Sequence, residues 1–270
     1  MKANSLDYAT DALIRVALAL LLIAALLLFA PGRGYADESE EDREPATDPT
    51  APEQYTPGKI AIAARIGAAA DRPSGSIDFD EVDTSRGYDF QDVSHFNGNI
   101  GMTNVGALDF MFFPTEGRRF MIVLSATKQD GFFTTDYRRA DEDDYGKYLG
   151  LDGRVVHYYM TTIGVGVGYR WLLGDKLNHA ASFFGRAAIG GAGFAMEGFA
   201  DAGGGSATFE VATAYHYRFE NHMLMGFEFD LRGYGAGFSS VEIDKLDTEA
   251  DFYLYGGTGL LSFVVGWEII

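Results

Sequence analysis

The sequence predicts an all-β chain, an eight-stranded antiparallel up-and-down transmembrane β-barrel. Three observations carry this. From Gly58 onward, apolar and polar residues alternate in long runs. The runs are joined by connections that are short and long in turn. Aromatic residues gather near both ends of the runs. Side chains on a strand point alternately to two faces, so each run has two surfaces. An apolar face between two aromatic girdles, with short turns at one end and long loops at the other, suits strands that cross an outer membrane.

Composition agrees. The chain has 270 residues, with 34 glycines, 7 prolines and 14% aromatics, a balance that suits strands and tight turns. It has no cysteine, which excludes disulfides, thiolate metal sites, cysteine nucleophiles and a lipid-anchored cysteine. A net charge of −18 argues against nucleic acid as a partner, because that needs clustered Lys and Arg.

Residues 1–36 read as a secretory signal. Arg15 precedes the apolar run Val16–Ala30, then Pro31 and the small-residue end Gly34-Tyr35-Ala36. Cleavage is expected after Ala36. The run falls short of the roughly 20 apolar residues of a spanning helix. An uncleaved anchor is the alternative, because Asp7 and Asp11 lie in the leading segment. Residues 37–57 are acidic, contain proline and hold almost no large apolar side chain, so a disordered periplasmic tail is expected. The barrel is expected over 58–270.

Eight segments follow. The first, Lys59–Ala68, sets Ile60, Ile62, Ala64 and Ile66 against Arg65. The second, Gly101–Phe113, sets Leu108, Phe110 and Phe112 against Asp109. The third, Arg119–Thr127, has Phe120, Ile122 and Leu124 on one face. The fourth, Val155–Leu172, has an outer set running from Tyr159 through Ile163 to Tyr169 and Trp171. Its inner set includes Gly164, Gly166 and Gly168. The fifth, Ala180–Phe194, sets Phe183 and Ile189 against Arg186. The sixth, Ala207–Phe219, sets Phe209, Val211, Thr213, Tyr215 and Tyr217 against Glu210, His216 and Arg218. The seventh, His222–Phe238, sets Met223, Met225, Phe227, Phe229 and Leu231 against Glu228, Asp230 and Arg232. The eighth, Phe252–Ile270, has Tyr253, Tyr255, Leu261, Phe263, Val265, Trp267 and Ile269 on its outer face. An edge left unpaired in lipid is costly, so the eighth should close on the first.

Pro114–Arg118, Leu173–His179 and Glu220–Asn221 are the short connections; Ala69–Ile100, Lys128–Arg154, Ala195–Ser206 and Ser239–Asp251 are the long ones. An even strand count puts both chain ends on the short-turn side, expected to be periplasmic. Tyr169, Trp171, Tyr215, Tyr217, Phe219 and Trp267 fall at that end, and Tyr158, Tyr159, Tyr234, Phe238, Tyr253 and Tyr255 at the other. They are read as two girdles.

The inner faces carry Arg65, Arg186, Arg218 and Arg232 with Asp109, Glu210, Glu228 and Asp230. Unpaired buried charge is expensive, so these should pair. Eight strands leave an interior that side chains fill, so a salt-bridged plug is expected, with a narrow pore as the alternative. The spacing of Gly164, Gly166 and Gly168 does not match a dinucleotide fingerprint; these glycines should make room for bulky neighbours across the lumen. His216 is read as a lumen hydrogen-bonding residue. Loop residues 78–92 and 141–144 are rich in Asp and Glu, read as a solvated face that could bridge to lipopolysaccharide through cations, without the spacing of a calcium loop.

These runs, connections and girdles resemble the small outer-membrane barrels of the OmpA, OmpW and opacity types over Gly58–Ile270. The resemblance implies a monomer that meets outer-membrane lipid, lipopolysaccharide and the barrel assembly machinery, and holds no cofactor. The family usually ends on an aromatic residue, whereas this chain ends Trp267-Glu268-Ile269-Ile270. A structural or surface-interaction role is expected. The OmpW-type resemblance implies instead a passage for small, hydrophobic molecules. A barrel enzyme acting on lipid A is a further alternative, but none of His95, His157, His179, His216 or His222 has serine two residues on. A soluble lipocalin-like barrel is disfavoured by strand length and the two girdles.

Overall fold

A computed structural model of the chain describes residues 57–79, 93–115, 117–136, 153–174, 176–196, 199, 201–243 and 248–269. The expected signal, the acidic tail up to residue 56, and residues 80–92 and 137–152 of the first two long connections lie outside the described residues.

The strands are β1 (Ile60–Asp71), β2 (Ser74–Phe79), β3 (Val93–Gly98), β4 (Gly101–Phe112), β5 (Phe120–Asp136), β6 (Val155–Leu173), β7 (His179–Met196), β8 (Ala202–Arg218), β9 (Met223–Ile243) and β10 (Thr248–Ile269). Antiparallel pairing runs β1–β4–β5–β6–β7–β8–β9–β10 and returns from β10 to β1, with Ile60 opposite Ile269 and Ala68 opposite Leu261. The eight staves close a ring, and no edge is left to lipid along it.

The expectation of a loop over Ala69–Ile100 is corrected. The first stave breaks at Arg72-Pro73 and resumes as β2, which pairs with β10 from Tyr255 to Ala250. Proline has no N–H to give to a ladder, so pairing cannot run through it. β3 pairs with β2 and comes down to β4, and the Gly98 N–H donates to the Pro73 carbonyl (2.6 Å).

Strands also run further than the alternation alone suggested. β5 continues past Thr127 to Asp136, β8 begins at Ala202, and β9 and β10 reach Ile243 and Thr248. The reason is chemical. Within lipid the outward face must be apolar. Beyond it the pattern inverts: Lys128 and Asp130 point outward as an exposed ion pair (3.1 Å), while Phe133 points in and is buried.

The outward belt is apolar and open to the surroundings, with Ile66 75%, Ile163 73% and Ile189 74% exposed. A soluble protein does not leave such residues uncovered in a continuous band. The belt belongs in lipid.

Candidate functional site

The inward residues of β9 give the order of layers inside the barrel. From the short-turn end they are Leu224, the charged Glu228, Asp230 and Arg232, then Tyr234, then Ala236 and Phe238, all buried.

The charged layer is the candidate site. Arg65 on β1 donates through Nε to Asp109 on β4 (3.1 Å) and through Nη1 to Asp230 on β9 (2.8 Å). Its guanidinium also lies 3.0 Å from Glu228 and 3.4 Å from Glu210. Arg186 on β7 reaches the same four carboxylates: Glu210 at 2.7 Å, Glu228 at 2.5 Å, Asp230 at 3.2 Å and Asp109 at 3.3 Å. Arg232 pairs with Glu210 at 2.5 Å and donates to Gln129 on β5 at 3.0 Å. Ser125 donates to Asp109. All seven charged groups are buried, and Asp230 is 0% exposed. Each bidentate guanidinium spans carboxylates from different staves, so the cluster ties β1, β4, β7, β8 and β9 together across the lumen.

Arg218 is not part of this layer, which corrects the grouping of eight. It lies one layer nearer the short turns, where it pairs with Glu268; Arg170 holds the other Glu268 oxygen at 2.5 Å. The Arg170 guanidinium also stacks over Phe113, 3.5 Å from the ring centroid. Neither Glu268 nor Arg170 is among the lumen charges expected from the sequence. An inward Arg on a strand bordered by outward Tyr169 and Trp171 was the available signal.

A third polar layer lies above the charges. Asp71, at the end of β1, accepts from Thr103 (3.1 Å), Tyr158 (2.8 Å) and Tyr234. Gln129 donates to Tyr158 at 3.4 Å and so joins this layer to Arg232. Tyr158, Tyr234 and Phe238 therefore face the lumen, and their placement in the outer girdle is corrected. Glycine makes room for the two tyrosines: a Cβ at Gly131 would collide with the Tyr158 ring, and one at Gly256 with Tyr234. Above them, Phe194 stacks on Phe252 (4.4 Å), Phe252 on Phe96 (5.3 Å), and Phe238 meets Phe194 edge-on (4.8 Å).

The glycines at 164, 166 and 168 also serve close packing, but against the adjacent strand rather than across the lumen. A Cβ on Gly166 would come within 2.5 Å of Cγ of Arg186, its register partner on β7. His216 is buried in the layer of Arg218 and Glu268. That layer holds a cavity of about 10 Å³, enough for a single water. Among the described residues no group of His, Asp and Glu is arranged to hold a metal ion.

Outward aromatics crowd the short-turn end. Tyr169 packs on Trp171 (5.0 Å) and Tyr217 on Phe219 (4.8 Å), with Tyr215 and Trp267 exposed nearby in the belt. Tyr159 and Tyr255 are exposed toward the long-loop end, where Tyr253 donates to Asp251 at 3.2 Å.

No protein-family model matches the chain, and no curated protein matches it. Among solved structures it is similar to the outer membrane protein OprG from Pseudomonas aeruginosa, at 11% identity and TM-score 0.48, over 80% of this chain and 98% of that one. It is also similar to Neisserial surface protein A, at 9% identity and TM-score 0.36, over 80% and 100% of the two chains. A third is the outer membrane protein AlkL in lipid bilayers, at 8% identity and TM-score 0.35, over 85% and 97%. The closed ring of strands and the apolar belt define this chain's fold. It is a small eight-staved barrel of the outer-membrane type.

Proposed function

We propose that this outer-membrane-type barrel works through its surfaces, with its lumen closed. The observation that carries the reading is the charged layer. Arg65, Arg186 and Arg232 with Asp109, Glu210, Glu228 and Asp230 meet in mid-barrel at 2.5–3.4 Å. An eight-stranded interior has no room beside such a cluster for a hydrated ion. Opening a path would part buried charges whose partners are one another. The short-turn end is periplasmic in this reading, the long loops face outward, and outer-membrane lipid, lipopolysaccharide and the barrel assembly machinery are its partners. The chain acts as a monomer and carries out no catalysis.

Single-channel recording in planar bilayers tests the closed lumen. The expected trace has no steady conductance; sustained unit conductance of the wild-type chain overturns the reading. Protease added to intact cells tests the orientation: cleavage at Arg138, Arg139 or Lys147 supports it, and cleavage confined to Arg118 and Arg119 inverts it.

The apolar aromatic layer supports a second reading, a passage for small hydrophobic molecules. Phe96, Phe194, Phe238 and Phe252 pack on one another above Tyr158 and Tyr234, an apolar path whose rings a solute would have to part. The charged layer bars it from the axis beyond. Uptake of a short alkane into vesicles holding the barrel, above the rate of protein-free vesicles, would favour this reading over a purely structural one.

A further inference from the structure

The rim at the short-turn end carries a cleft of about 590 Å³ that the lumen does not account for. It lies between the turn after β4 and the turn after β6. Its lining includes Pro57, Arg119, Phe120, Tyr169, Leu172 and Leu177. Phe120 and Tyr169 are register partners on the outward face of β5 and β6. The cleft therefore opens on the lipid side of the wall, at the level of the Tyr169–Trp171 girdle, where head groups meet hydrocarbon.

We propose that this cleft binds one anionic glycerophospholipid of the leaflet at the short-turn end, head group on Arg119 and an acyl chain down the wall. Three features fit that occupant. First, the cleft is amphipathic in the right order: an exposed guanidinium at the rim, then aromatic and aliphatic walls. A guanidinium is suited to a phosphodiester, which it meets with two N–H donors.

Second, the cleft continues as a strip. Below Phe120 and Tyr169 the outward pairs on the same two strands are Ile122 with Val167, Leu124 with Val165 and Ala126 with Ile163. At roughly 3.3 Å per residue the strip from Phe120 to Ala126 runs about 20 Å. With strands tilted by about 40°, that reaches to about the middle of a hydrocarbon core about 30 Å thick. No charge interrupts it before Lys128.

Third, Arg119 is the one charged side chain among the described lining residues, and a cation at a leaflet surface selects anionic over zwitterionic head groups.

The inference rests on the barrel sitting in lipid with its short turns periplasmic, as proposed above; it does not need a closed lumen. The experiment is native mass spectrometry of the full chain released from detergent. It is titrated with phosphatidylglycerol or with phosphatidylcholine of the same acyl chains. The wild type is expected to retain one phosphatidylglycerol in preference to phosphatidylcholine. Arg119→Gln should lower phosphatidylglycerol retention about tenfold, the loss of one charge-assisted contact, and Arg119→Lys should keep most of it. Tyr169→Ala should weaken both lipids, and Lys128→Gln, an outward cation away from the cleft, neither. Folding of each variant is checked by heat-dependent migration on gels. Equal retention of both lipids by the wild type overturns the proposal. So does unchanged retention by Arg119→Gln, or displacement of the lipid by millimolar inorganic phosphate.

Discussion

Arg65 and Asp230 meet in the middle of the lumen, Nη1 to Oδ2 at 2.8 Å, although 165 residues separate them in the chain. The contact crosses the barrel interior, from β1 to β9, which are not hydrogen-bonded neighbours. Both side chains are sealed from solvent. The charged layer therefore reports on ring closure as a whole, since it forms only when staves from both ends of the chain are in place.

That layer holds three guanidiniums and four carboxylates, which makes its members unequal. Arg65→Leu leaves four acids facing two cations and should cost about 3–5 kcal/mol. Asp230→Asn balances the layer and keeps an acceptor, so it should cost clearly less. Reversible urea unfolding from lipid vesicles, followed by Trp171 and Trp267 emission, measures both. Equal costs would show that charge balance does not govern the layer.

The outward face of the same strand should answer to the opposite chemistry. Phe229 is exposed in the belt one residue before Asp230. Phe229→Arg should cost roughly 2–4 kcal/mol near the bilayer midplane, and Phe229→Leu far less. Unfolding from vesicles again gives the number, and wild-type stability of Phe229→Arg would contradict the lipid-facing assignment.

Two groups of glycines should separate cleanly on substitution by alanine. A Cβ at Gly205 or Gly233 meets nothing within 4 Å, so Ala there should be neutral or stabilise by up to about 1 kcal/mol through the unfolded chain. At Gly166 the same Cβ would press on the Gly185 carbonyl and on Arg186 at 2.5 Å, and Ala should destabilise by about 1–3 kcal/mol. Midpoints of urea unfolding for the three variants test the contrast.

Asp71 depends on its hydroxyl donors. Tyr158→Phe removes one donor, and Tyr158→Phe with Tyr234→Phe removes two, leaving a buried carboxylate to Thr103 alone among the donors described for it. The single change should cost about 1–3 kcal/mol. The double change should cost more than the sum of the two singles, because the second loss strands the charge. An additive double-mutant cycle would argue that water replaces the tyrosines.

Within the apolar belt the inward and outward faces of the staves were legible in the sequence, because facing is a local property with period two and lipid enforces it; toward the long loops Tyr158, Tyr234 and Phe238, expected in the girdle, face the lumen. The eighth segment shows this best: Tyr255, Leu261, Phe263, Trp267 and Ile269 are exposed, and Leu254, Leu260, Val264 and Glu268 are buried. Height along the barrel was not legible. A slip of one residue turns a side chain to the other face, but a slip of two keeps the face and changes the layer. Alternation therefore could not separate Arg218, which meets Glu268 and Arg170, from Arg186, which meets the central acids. Nor could it bring Asp71 under Tyr158 and Tyr234, or find β2 and β3 in a stretch whose outward face is polar. Those placements follow from the stagger of strands far apart in the chain, and only the closed ring sets that stagger.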